Sequence, residues 1–253
     1  MFYSQQQIDE LTRECAAIAQ KYQNLLFAFH DRQYQTERGR EFGMHGFMRR
    51  LGTLRHCIER VFLILPPGSV DIPSNEARED ATIAIQAFIF NVFGCLDNLA
   101  SIWVEEKAIR KADGTRLAQG AIGFGEKYPR VRQSFSDTFR AYLVSRADWF
   151  AYLGDFRHAL AHRVPLYIPP HAVSPENQVA YQALEHQIVA AVLSGSEVLE
   201  GQLRKQQRQL MFFRPWIVHS FGEQAPMVVI HAQMLADFNT VDEIARNMLH
   251  ELQ

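Results

Sequence analysis

Residues 81–104, Ala81-Thr-Ile-Ala-Ile-Gln-Ala-Phe-Ile-Phe-Asn-Val-Phe-Gly-Cys-Leu-Asp-Asn-Leu-Ala-Ser-Ile-Trp-Val104, are the most apolar stretch of the chain. Ile83, Ile85, Phe88, Phe90, Val92, Phe93, Leu96 and Leu99 leave this stretch without a polar face. A helix apolar almost all round is normally the central one of a bundle. Gln86, Asn91, Asp97 and Asn98 lie inside it, and four such groups argue against a membrane span. Ser74 predicts the N-cap, with Glu76, Glu79 and Asp80 placed favourably against the helix dipole.

The flanking segments are helical as well. Ile8, Leu11, Cys15, Ile18, Tyr22 and Leu25 recur at helical spacing and predict a first helix from Gln5 to Phe29. A second is expected from Arg38 to Leu65, stopped by Pro66-Pro67-Gly68. Lys111 to Tyr128 is a glycine-rich loop, and Pro129 can open a helix towards Leu143. Ser145 or Asp148 starts the next, which ends near Val164-Pro165. Three prolines between 165 and 170 force extended chain, and Pro175 opens a long helix to about Leu210. Beyond it, Trp216-Ile-Val-His219 and Met227-Val-Val-Ile-His231, separated by Phe221-Gly222 and Pro226, read as a short hairpin. Thr240-Val-Asp-Glu243 reads as a capping box for a closing helix to Leu252. The expected fold is thus mainly all-α: a helical bundle over 1–210, then a small α/β appendix over 211–253 made of a hairpin and a closing helix packed on the bundle.

Composition narrows the function only a little. The formal net charge is -2, so no global field marks a nucleic-acid binder. The 26 basic residues are nonetheless divided as 21 Arg and 5 Lys, and the planar guanidinium fork suits carboxylates and phosphates. Cys15, Cys57 and Cys95 lie far apart on apolar helical faces, as small hydrophobes do, and make no disulfide framework. The start, Met1 to Glu10, has neither the basic residues nor the apolar run of a signal peptide, so a reducing cytoplasm is the expected location.

Chemistry concentrates in Arg157-His-Ala-Leu-Ala-His-Arg163. On a helix, His158 and His162 share a face, whereas Arg157 and His162 are about 140° apart. Three readings fit. Arg157 and His162 can handle a phosphodiester, the guanidinium gripping phosphate and the imidazole moving a proton from or to a ribose or leaving-group oxygen. His158 and His162 can instead form an i, i+4 metal pair with Asp155 one turn earlier. Against that stand the fixed charges of Arg157 and Arg163, and the missing Glu after His158 that a zinc-protease helix would carry. Or the polar groups simply solvate a helix end, where the cations of His162 and Arg163 suit the dipole.

Arg157-x4-His162 at the end of a late helix resembles the motif of the HEPN superfamily (higher eukaryotes and prokaryotes nucleotide-binding), Arg-x(4-6)-His with a polar residue after the Arg, here His158. The phrase Asp155-Phe-Arg-His-Ala-Leu-Ala-His-Arg163 looks like the family's motif region, and the resemblance covers about residues 40–165. Many HEPN proteins are metal-independent endoribonucleases that dimerise to form a composite site; others are non-catalytic binding or scaffold modules, some in stress or defence systems. The resemblance implies that Arg157 binds the scissile phosphate, that His162 is the general acid/base and that His158 is auxiliary, with Asp155 and Arg163 in support. It implies no cofactor and no metal, RNA or a nucleotide-like phosphate as ligand, and a homodimer.

Asp97 is the other residue to explain, because an unpaired carboxylate in an apolar helix is costly. Arg157 is a candidate partner that would be oriented by it; Arg55 and Arg60 are the alternatives. Trp103, Trp149 and their neighbouring phenylalanines are expected in the core.

Overall fold

The computed structural model describes residues 2–220 and 227–253. The protein is mostly helical, with α1 (Gln5–His30), α2 (Glu37–Glu41), a π-helical turn (Phe42–Phe47), α3 (Met48–Ile64), α4 (Asn75–Glu106), α5 (Pro129–Arg132), α6 (Asp137–Ser145), α7 (Ala147–His162), α8 (Gln178–Leu193), α9 (Glu197–Arg208) and α10 (Ile230–Glu251). Two antiparallel ribbons complete it. Strand β1 (Ala172–Val173) pairs with β2 (Met211–Phe212), and β3 (Trp216–Ile217) with β4 (Val228–Val229). The expected hairpin strands are therefore present, and the turn assigned to Phe221-Gly222 and Pro226 lies outside the described residues.

Helix α4 is the central element. It packs against α3, α7 and α10, and Ile85, Phe88, Val92, Leu96, Leu99 and Trp103 are buried along its length. It is long and apolar enough to cross a membrane, and 44% of its most apolar window is buried within the fold. Ser74 caps its start, with the hydroxyl accepting from the Ala77 amide at 3.1 Å. Its far end carries Glu105 and Glu106, acids at the unfavourable pole of the dipole. Both are compensated by partners. Glu106 accepts from the Gln35 and Thr36 amides and the Thr36 hydroxyl, while Arg38, Arg110 and Arg116 surround Glu105.

Four expectations need correction. The run from Arg38 to Leu65 is not one α-helix, since the π turn interrupts it. At Gly46 an added Cβ would meet the Asn98 side chain at 2.8 Å, so glycine is what lets the turn approach α4. The helix expected from Pro129 to Leu143 is two, because Ser136 caps α6 by accepting from the Phe139 amide. The helix expected from Pro175 to Leu210 breaks at Gly195, whose φ of +69° belongs to the left-handed region. Thr240 caps nothing: it sits inside α10, its hydroxyl donating to the Ala236 carbonyl at 2.9 Å. α10 begins ten residues earlier, and Ile230, Met234, Phe238, Val241, Ile244 and Met248 bury one continuous stripe in the main core.

Helix α7 is seated by this core. Leu153 and Phe156 are buried from it, each worth roughly 1.5–3 kcal/mol by area. The Trp149 indole donates to Asp237 on α10 at 2.8 Å, and Arg146 pairs with Glu243 at 2.7 Å. These contacts set the rotation of α7 and so decide where its arginine and histidines point.

Candidate functional site

The structure divides the expected site residues into three groups. Arg157 faces α4. The residue is half-buried and its guanidinium lies over the Phe93 ring, 5.1 Å from the centroid, and it makes no hydrogen bond or ion pair with a described residue. His158 and His162 are exposed and face each other with ring centroids 5.1 Å apart, as their spacing requires. Arg157 and His162 share no contact within one copy of the chain.

Asp155 and Arg163 form the third group, an ion pair at 2.5 Å. His219 joins them from the strand segment, its Nε2 lying 2.9 Å from the second Asp155 oxygen while its ring sits edge-on to Phe156. Burial pushes the Asp155 carboxyl up, but the hydrogen bonds from Arg163 and His219 outweigh it and hold the group below its ordinary value. With its carboxylate so engaged, Asp155 is an anchor between the end of α7 and the strand segment. Among the described residues, no cluster of three or more His, Cys, Asp or Glu could hold a metal ion.

Asp97 stands between two arginines. Phe93, under Arg157, is one turn before Asp97 on α4; Gly94, under Arg50 of α3, is three residues before it. Burial raises the Asp97 carboxyl above its ordinary value, and Arg157, Arg50 and Lys127 pull it back part of the way. The other candidates are engaged elsewhere: Arg55 lies over Tyr22 and pairs with Glu59, and Arg60 pairs with Asp80.

Arg50 is the residue that sequence reading missed. Its Nε donates to the Asn98 carboxamide oxygen and its Nη1 to that of Asn91, both at 3.1 Å, so the guanidinium plane is fixed from two sides. Gly94 makes room for it, since a Cβ there would lie 2.5 Å from the guanidinium carbon. Asn91 and Asn98 were visible as polar interruptions of an apolar helix, spaced i, i+7 on one face. That spacing was the available signal for a partner on another helix. Arg50, Arg157 and Lys127 are thus the cations whose charge acts on the Asp97 carboxylate.

The fold is that of a mostly helical protein in which two arginines, Arg50 and Arg157, act on the one carboxylate of Asp97. No family model matches the chain, and no curated protein or solved structure matches it either.

Proposed function

We propose that this protein is a HEPN-like, RNA-binding protein that cleaves RNA without a metal ion, through Arg157 and His162. The observation that carries the reading is the half-buried Arg157, its guanidinium stacked on Phe93 and without a hydrogen-bond acceptor among the described residues. A guanidinium held by a ring face and not by a carboxylate keeps its N–H donors available to a ligand. A phosphodiester oxygen supplies two lone pairs in the fork geometry that arginine prefers.

In this reading Arg157 holds the scissile phosphate and Arg50, on the other side of Asp97, adds a second positive pole. An imidazole takes the proton from the ribose 2′-hydroxyl as its oxygen bonds to phosphorus. The bond from phosphorus to the 5′-oxygen then breaks, that oxygen receives a proton, and a 2′,3′-cyclic phosphate remains. His162 turns away from Arg157 in one copy, so the histidine that serves Arg157 comes from a second copy. The homodimer and the cytoplasmic location belong to the same proposal.

Incubating the protein with labelled single-stranded and tRNA-like RNA in EDTA tests it. Cleavage that persists, yields cyclic phosphate ends and spares the matching DNA is the expected result. Activity lost on chelation would transfer the site to the His158/His162 pair. RNA bound in an Arg157-dependent way but never cleaved would make the protein a binding module, the reading favoured by the separation of Arg157 from His162 if copies do not meet.

Gly94→Ala tests the Arg50 side of the site. The new methyl must drive the Arg50 guanidinium off Asn91 and Asn98. Alanine gains about 1 kcal/mol of helix propensity, which offsets much of the two lost hydrogen bonds. Thermal stability should therefore shift by a few degrees at most, while RNA affinity in a titration falls about tenfold, the worth of one charge-assisted contact. Unchanged affinity would remove Arg50 from the ligand.

A further inference from the structure

Arginines gather at the C-terminal end of α4. Glu105 is buried there, and an acid so placed needs one compensating cation. Arg110 is that cation: its Nη2 lies 3.1 Å from Glu105 Oε2, and its Nη1 donates to the Val104 and Ile109 carbonyls. Glu106 has Arg32 at 3.6 Å besides its backbone donors. Arg38 and Arg116 are then surplus to the two acids. Both approach the same Glu105 oxygen, Oε1, through Nε, at 3.4 and 3.7 Å. Their side chains are 47% and 62% exposed, and neither makes a hydrogen bond to a described residue. A guanidinium carries five N–H donors, so the four on the Nη atoms of each have no acceptor among the described residues. Asp113 does not take them up, because it is turned onto the Thr115 amide and hydroxyl, and Glu37 makes no ion pair with a described residue. Both arginines are also held in place. Arg116 pairs with Arg110 across a short antiparallel bridge closed by the Lys111 amide on the Thr115 carbonyl, and Arg38 lies over the Phe42 ring.

We infer that Arg38 and Arg116 form a clamp for one backbone phosphate of a single RNA strand, a few nucleotides from the phosphate held at Arg157. Two guanidiniums that converge on one point suit the non-bridging oxygens of one phosphate. The path of the strand rests on the function proposed above; the clamp itself does not. Asp97 and Glu105 are eight residues apart on α4, about 12 Å at 1.5 Å per residue. The segment after α4 supplies cations over that interval. The charge of Lys127 acts on Asp97, and the Arg130 guanidinium donates to the Arg110 carbonyl at 2.7 Å. Both residues are exposed. With phosphates about 3.4 Å or more apart along a strand, four nucleotides or fewer cover the distance. The formal net charge of -2 conceals such a track, since a phosphate responds to charges within a Debye length of about 8–10 Å and not to the whole surface.

Titration of the full chain with a labelled twelve-nucleotide single-stranded RNA, at several salt concentrations, tests the clamp. Arg38→Gln combined with Arg116→Gln should weaken binding about a hundredfold, tenfold for each charge-assisted contact. The slope of log affinity against log salt should flatten by about 0.7 for the phosphate released. The single-turnover cleavage rate at saturating RNA should stay at the wild-type value. Arg110 still compensates Glu105 in this variant, so its circular dichroism spectrum should be unchanged. Arg116→Gln alone, at the more exposed of the two positions, should lose about tenfold and serves if the double variant does not fold. Wild-type affinity and salt slope in these variants, a saturated rate that falls with affinity unchanged, or a wild type that binds a ten-residue polyaspartate more tightly than the RNA would overturn the clamp. Failure at Arg157 reads differently. RNA that is bound through Arg38 and Arg116 but never cleaved, with Arg157→Ala binding as the wild type does, would end the catalytic reading and support the clamp.

Discussion

Alanine at His162 is expected to reduce RNA cleavage by about a hundredfold or more, the usual loss when a proton-transfer group is removed, with RNA binding retained. His162 is exposed and its one ring contact among the described residues is His158, so stability should move by no more than about 1 kcal/mol. Arg157→Ala should lose cleavage to the same extent and binding as well. Its structural contribution is the stacking on Phe93, roughly 0.5–1 kcal/mol for such a cation–π contact. Arg157→Lys keeps the charge without the fork and should recover only part of the binding. Because the two residues do not meet within one copy, mixing the two alanine variants should restore activity: a mixed dimer contains one site with both an intact arginine and an intact histidine. Cleavage at the wild-type rate by either single variant would end the catalytic assignment. Mixing without recovery would place both groups in the same copy.

The second large effect is a pair of opposed pH dependences on α10. His231 is buried, with Nε2 donating to the Leu65 carbonyl at 2.5 Å and Nδ1 accepting from the Tyr3 hydroxyl at 3.1 Å. The carbonyl can only accept, so the proton is on Nε2 and the ring is neutral. Burial pulls its pKa from 6.5 down to about 4. The unfolded chain therefore takes up a proton that the fold refuses, and stability falls on the order of 3 kcal/mol as pH drops from 6.5 to 4.

Asp237 acts in the other direction. It is fully buried, its Oδ1 accepts from Trp149 and Gln233, and the Tyr152 hydroxyl also interacts with the carboxyl. Burial outweighs those hydrogen bonds and raises its pKa from 3.8 to about 6. The fold binds a proton that the unfolded chain has released, so stability increases, again on the order of 3 kcal/mol, as pH drops from 6 to 4. In the wild type the two slopes largely cancel. Asp237→Asn should expose the histidine and melt progressively lower as the buffer is acidified from pH 6.5 to 4. His231→Gln, which can still donate to Leu65 and accept from Tyr3, should show the reverse. Parallel pH profiles for both variants in thermal or urea unfolding would show that neither group titrates this way.

The features that could be read from sequence were those whose signal is local. The α4 stretch announces a central helix because its apolar residues leave no continuous polar face, and Ser74 caps it through a hydroxyl three residues from its target. α10 was misread for an equally local reason. Val228-Val-Ile230 has the β-branched character of a strand and Thr240-x-x-Glu243 the look of a cap, but the stripe from Ile230 to Met248 has a core to enter and that burial decides. At the candidate site, Asp97 was conspicuous because a carboxylate there needs compensation. Arg50, 41 and 48 residues from the asparagines that hold it, was one of 21 arginines with no local mark. His219 was equally silent, since its role depends on a strand segment meeting the end of α7. A long-range pairing between helices can mark one side, as the spacing of Asn91 and Asn98 does, without marking the partner.

The π turn at Phe42–Phe47 sits between two fixed moorings on the same helix. Upstream, Thr36 and Gln35 are tied to Glu106 at one end of α4; downstream, Arg50 is tied to Asn91 and Asn98 near its middle. An α-helix advances about 100° per residue, and the wider π turn advances less. The segment thus works as a phase shifter, taking up the angular mismatch that an unbroken helix would impose between the two moorings. Removing one residue from it would not merely shorten the helix: it would turn the two attachments out of step, and only one of them could remain fastened.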